Sequence, residues 1–160
     1  MKRCIFVLAV LLFTCLLSAS DPVFYCNFDD TAEPQMAAGD KTPKLEVQPK
    51  FEQGIRGRAL LVGMDADKTR RGVSYSNEKN LNWTQGAISF WVKPVNWKGS
   101  DTGFFAPFFT AGAGKNYFLI YKYPVGETLY FMRGELGFWL FSQYRPGEWK
   151  SGEWHHVVCL

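Results

Sequence analysis

Asp65 and Asp67 form the one acidic pair spaced i, i+2 in the chain. On a strand that spacing aims both carboxylates at the same face. Two carboxylates on one face are what glycoside hydrolysis requires: one protonates the leaving oxygen, the other serves as base or nucleophile. The surrounding Gly63-Met64-Asp65-Ala66-Asp67-Lys68 reads as a turn, with no aromatic platform to seat a sugar, and this weighs against a glycosidase. Asp29 and Asp30 are adjacent, so on a strand they would point to opposite faces. The two histidines, His155 and His156, meet the same obstacle. On a regular strand they cannot share one zinc ion or one proton-transfer site. The structural reading is that one imidazole packs and hydrogen-bonds while the other faces outward or lines the second sheet. No catalytic residue is assigned.

Hard cations pose a different question. Calcium takes several loop-borne oxygens, and Asp29, Asp30, Asp65 and Asp67 are the weak candidates to supply them. Against calcium stands the simpler reading that Asp29-Asp30 ends a strand and starts a turn. Aromatic side chains offer the remaining chemistry. Trp97 lies in the turn Asn96-Trp97-Lys98-Gly99, and Tyr144 and Trp149 flank Arg145-Pro146-Gly147-Glu148. Loop-borne Trp and Tyr stack on the apolar C–H face of a pyranose while its hydroxyls stay wet. The alternative is that Trp97 and Trp149 cap the open ends of a sandwich.

The elements that must position these groups read as strands. No segment carries helical periodicity, and short apolar runs alternate with Gly, Pro, Asn and Asp, the pattern of an antiparallel sandwich. Strands are expected at Val23 to Phe28, Ala59 to Val62, Val73 to Tyr75, Phe104 to Thr110, Tyr117 to Tyr121, Leu129 to Arg133 and Phe138 to Phe141. Ala87 to Lys93 is the clearest: Ile88, Phe90 and Val92 fall on one face, and Ala87, Ser89, Trp91 and Lys93 on the other. Residues 31–50, with Pro34, Pro43 and Pro49, read as a long loop or a poorly paired edge. Arg70-Arg71 reads as a solvated turn. The stretch Trp154 to Leu160 is a last strand, and the chain stops inside it. A terminal strand with no turn behind it leaves an unfinished sheet edge, so the chain is expected to be the N-terminal piece of a longer protein.

Residues 1–20 read as a signal peptide: Lys2-Arg3, an apolar run from Ile5 to Leu17, and small residues in Ser18-Ala19-Ser20 before a cut. The run is shorter than the ~20 residues a spanning helix needs, and a lipid on Cys15 fits poorly behind Phe13-Thr14. Residues 21–160 then form one partial domain, located outside the cell or in the periplasm, with attachment at the cell surface left open and no membrane insertion after processing. Sixteen Lys and Arg then face fifteen Asp and Glu, since Lys2 and Arg3 leave with the signal. With no basic stripe, a nucleic-acid partner is not expected. Two cysteines remain, Cys26 and Cys159. In an oxidising compartment they are expected to pair, closing nearly the whole piece. Two buried thiols, or a partner beyond Leu160, are the alternatives. Asn82-Trp83-Thr84 matches a glycosylation acceptor, relevant only in a eukaryotic secretory route.

Several segments, in order, carry a resemblance. Phe28-Asp29-Asp30, Gly57-Arg58-Ala59-Leu60, Asn80-Leu81, Gly86-Ala87-Ile88-Ser89-Phe90-Trp91-Val92-Lys93-Pro94 and Gly152-Glu153-Trp154-His155-His156-Val157-Val158 resemble the laminin-G-like family of concanavalin A-like domains. The resemblance spans essentially residues 23–160. It implies an all-β fold, a two-sheet antiparallel jelly-roll sandwich, incomplete here at its C-terminus. It also implies a secreted, non-catalytic module that binds carbohydrate or an extracellular protein as part of a larger chain. Two further expectations stand beside it. One is the N-terminal accessory domain of a secreted carbohydrate-active or other hydrolytic enzyme whose catalytic part lies beyond residue 160. The other is a structural or adhesion spacer.

Overall fold

A computed structural model describes residues 21–113, 116–125, 128–135 and 138–160. The expected signal peptide lies outside the described residues. Among them the chain is all-β, with no helix and several antiparallel sheets. No helix there is long and apolar enough to cross a membrane.

The N-terminal half is a series of short antiparallel pairs. β1 (Phe24–Tyr25) pairs with β2 (Met36–Ala37), and β3 (Lys44–Leu45) with β8 (Val73–Ser74). β4 (Lys50–Gln53) pairs with β5 (Arg58–Leu61), and β6 (Gly63–Met64) with β7 (Arg70–Arg71). Most of these strands are two residues long. So few ladder bonds cannot hold a chain, and side chains supply the rest. Asn80 is buried and clamps three backbone groups. Its Oδ1 accepts the Gly39 N–H at 2.8 Å, and its Nδ2 donates to the Asp40 and Ser76 carbonyls at 2.7 and 2.9 Å. Asp29 accepts the Arg58 N–H at 2.8 Å. Gly57 sits against that carboxylate with φ +56°, where a Cβ would strike Asp29; only glycine fits both demands.

Of the two readings of residues 31–50, a long loop or a poorly paired edge, the structure shows the second: they carry the two-residue strands β2 and β3 and the first residue of β4. One expectation is corrected here. Arg70-Arg71 is strand β7, not a solvated turn, because the Arg71 guanidinium is drawn inward onto Asp65 at 2.8 Å and donates to the Gln48 carbonyl at 2.9 Å.

The C-terminal half has longer strands. β9 (Ile88–Val92) pairs with β14 (His155–Cys159), so that Val92 lies opposite His155 and Phe90 opposite Val157. Their faces alternate as the side-chain period of two requires. Ile88, Phe90 and Val92 are half-buried together with His155, Val157 and Cys159, whereas Ser89, Trp91, His156 and Val158 are exposed. On that outer face the His156 ring stacks on Trp91 at 4.8 Å, and its Nε2 lies 2.8 Å from the Ser89 Oγ. β10 (Ala106–Ala113), β11 (Asn116–Lys122), β12 (Leu129–Glu135) and β13 (Phe138–Tyr144) form a four-stranded meander. Among the described residues the buried hydrophobic core comprises Ala32, Ile120, Tyr121, Leu129 and Trp149. Three of the five lie in this meander, and Trp149 lies in the loop before β14.

Candidate binding depression at the Asn96–Phe104 loop

The chain between β9 and β10 must cross from one sheet to the other, and its composition decides how. Buried Pro94 ends β9 by withholding a ladder donor. Lys98 and Asp101 then close a turn on each other. The Lys98 N–H donates to Asp101 Oδ2 at 3.0 Å, and the Asp101 N–H donates to the Lys98 carbonyl at 3.0 Å. Gly99 donates to the Trp149 carbonyl at 2.7 Å, and Gly103 to the Pro124 carbonyl at 2.7 Å. A Cβ at Gly99 would collide with the Pro146 carbonyl, so only glycine permits this approach.

The loop so pinned encloses a depression of about 410 Å3 lined by Asn96, Trp97, Asp101, Thr102 and Phe104. Two walls are aromatic. The Trp97 indole stacks on Phe108 at 5.9 Å and meets Phe104 at 5.6 Å and Trp149 at 6.4 Å, tilted. Behind Phe104, the buried Lys122 places its ammonium 5.7 Å from the ring centroid, a cation–π contact. The polar side offers hydrogen-bonding capacity. The Asn96 and Thr102 side chains and Asp101 Oδ1 make no hydrogen bond within the described residues, so an amide, a hydroxyl and a carboxylate oxygen remain available.

Of the three aromatic residues expected to meet a ligand, the structure brings two together. Trp97 lines the depression. Trp149 is only 8% exposed and packs beneath the loop, against Trp97 and, at 4.1 Å and 2° between ring planes, against His155. Tyr144 ends β13 opposite Leu129 and is 60% exposed, with no ring contact to either tryptophan among the described residues. Asn96, Asp101, Thr102 and Phe104 do not stand out in the sequence as site residues. Their signal is the crowding of amide, carboxylate and hydroxyl around one Trp within nine residues. Phe104, expected in a strand, precedes β10.

The four aspartates do not converge. Asp30 faces Arg58 at 3.7 Å, and Asp29 is engaged by the Arg58 amide. Asp65 receives Arg71 at 2.8 Å and Lys50 at 3.5 Å, and the Arg71 hydrogen bond holds its carboxyl below the usual range. Asp67 accepts the Thr69 N–H at 2.9 Å, which lowers its carboxyl likewise. Among the described residues no three His, Cys, Asp or Glu gather as a metal site would need. The cysteines, too, differ from expectation: both are free thiols. Cys26 lies beyond the end of β1, its Sγ 3.7 Å from the Tyr75 hydroxyl and from the Ala32 and Glu33 carbonyls. Cys159 ends β14 opposite Ile88, and burial raises its thiol pKa.

No protein-family model matches the chain, and neither does any curated protein or solved structure.

Proposed function

We propose that this chain is a secreted, non-catalytic module of the laminin-G-like jelly-roll kind that binds carbohydrate in the Asn96–Phe104 depression. One observation carries the reading: Trp97 and Phe104 share a depression with the unengaged polar groups of Asn96, Asp101 and Thr102. A pyranose has an apolar C–H face and a rim of hydroxyls, and it needs an aromatic wall beside polar groups that are not already spent. Here Trp97 is the stacking residue, Asp101 and Asn96 take neighbouring hydroxyls, and Trp149 holds the wall from behind. Asp65 and Asp67 are engaged by Arg71 and the Thr69 N–H, which weighs against that pair as a glycosidase acid and base.

Calorimetric titration with soluble xylo-, cello-, chito- and manno-hexaose tests it. At least one is expected to bind, and Trp97→Ala to weaken that binding by roughly tenfold or more, the equivalent of ~1.4 kcal/mol. Asp101→Asn keeps an oxygen for the Lys98 N–H and should weaken binding less. A panel without heat, or binding indifferent to both substitutions, would reject the depression as the site.

A further inference from the structure

The His155 imidazole lies flat on the Trp149 indole, with ring centroids 4.1 Å apart. Its Nε2 is buried and has no hydrogen-bond partner among the described residues. A neutral imidazole tolerates that position, because one of its two nitrogens can remain a bare acceptor. An imidazolium carries N–H on both nitrogens, so its Nε2–H would be a buried donor with no acceptor. Trp149 in turn holds the loop: its carbonyl accepts the Gly99 N–H, its Cβ lies beside Gly99, and its ring abuts Trp97. A continuous line of contacts therefore runs from one titratable nitrogen to the wall of the depression.

We propose that His155 is a proton-sensitive latch: neutral, it holds Trp149 under the Asn96–Phe104 loop, and on protonation the stack loosens and the aromatic wall of the depression opens. Only the consequence for a ligand rests on carbohydrate binding at this site; the latch does not. Burial lowers the His155 pKa from the ordinary 6.5, and Glu153 pulls the other way. Other charges on the neighbouring elements are Lys93 after β9, whose Nζ lies over Trp154, Lys98 and Asp101 in the loop, and Arg145, Glu148 and Lys150 before β14. Lys150 pairs with Glu153 at 3.4 Å and so blunts the Glu153 pull. The sign follows. A lowered folded-state pKa means that the opened state binds more protons. The stack is at full strength above about pH 6.5 and loses stability as pH falls from there toward the lowered value. His156 lies exposed on the opposite face, beside Ser89 and stacked on Trp91, away from Trp149.

The test needs no ligand. In the full chain, the His155 ring, the Trp149 and Trp97 indole N–H and the Gly99 amide are followed by NMR from pH 8 to 4.5. His155 is expected to titrate below 6.5, with the Trp149 and Gly99 signals moving at the same midpoint. His155→Phe keeps the stack and removes the proton, and should abolish that movement; His156→Gln should leave it intact. A His155 midpoint at or above 6.5 would overturn the latch. So would Trp149 and Gly99 signals that stay still while His155 titrates, and both of these readouts need only the wild type.

Discussion

Residues 24–80 and residues 88–159 are both antiparallel β-structure, yet different forces hold them. The first region is stitched by side chain to backbone. Asn80 spans Gly39, Asp40 and Ser76, Asp29 caps Arg58, and Arg71 ties Asp65 to Gln48. The second region is stitched by rings: Trp97 on Phe108, Trp149 on His155, Phe118 on Phe131 and Tyr121 on Tyr130. Polar clamps fix short segments without a core, but in doing so they consume their own hydrogen-bonding capacity. Aromatic packing, together with the backbone bonds of Lys98, Gly99 and Gly103, fixes the Asn96–Phe104 loop while leaving the Asn96 and Thr102 side chains and Asp101 Oδ1 unspent, and the depression lies there.

Removing a ring should hurt most. Trp149→Ala empties a buried site under the loop and is expected to cost about 3–5 kcal/mol, read as a lowered denaturant midpoint. It should also disperse the Trp97 indole signal. If Trp97 is unmoved, the rings do not position the loop. Removing a clamp comes next. Asn80→Ala leaves three backbone groups without their partner and should cost about 2–3 kcal/mol, with faster amide exchange at Gly39 and no change at Gly99. Exchange rising equally in both regions would erase the distinction drawn here. Gly99→Ala forces the loop away from the Pro146 carbonyl, at about 1–3 kcal/mol, and should move Trp97 without disturbing residues 24–80. The smallest effect is acid-linked. The Asp65 carboxyl, lowered from 3.8 chiefly by Arg71, contributes stability above that value and loses it as pH falls through its folded pKa. Asp65→Asn should therefore flatten the acid-unfolding curve below about pH 4 and leave the pH 5–7 window, where His155 acts, untouched.

Legibility in the sequence divides along the same line. Strand β9 can be read residue by residue, because Ile88, Phe90 and Val92 alternate with Ser89 and Trp91 and nothing local competes. The all-β character follows from such runs. Strands β6 and β7 cannot be read in this way. Two-residue strands carry no period, and what makes Arg70-Arg71 a strand is a carboxylate five residues before Arg70. The depression is half legible. Trp97 stands out as a loop aromatic. That Trp149 lies beneath it, and that Gly99 needs the carbonyl of Trp149, depends on contacts across about fifty residues that no local pattern encodes. The free thiols are of the same kind, since pairing depends on where two strand ends meet.

The most direct test of carbohydrate binding in the depression is to map a ligand onto it. The Trp97 indole N–H and the amides of Asn96 to Phe104 would be followed at pH 7.5 while cellohexaose, xylohexaose, chitohexaose and mannohexaose are titrated to millimolar concentration. Saturable shifts confined to these residues, with Trp149 responding weakly and residues 24–80 silent, are expected for at least one sugar. No saturable shift with any of the four, or shifts centred instead on the exposed Trp91 face of β9 and β14, would contradict it.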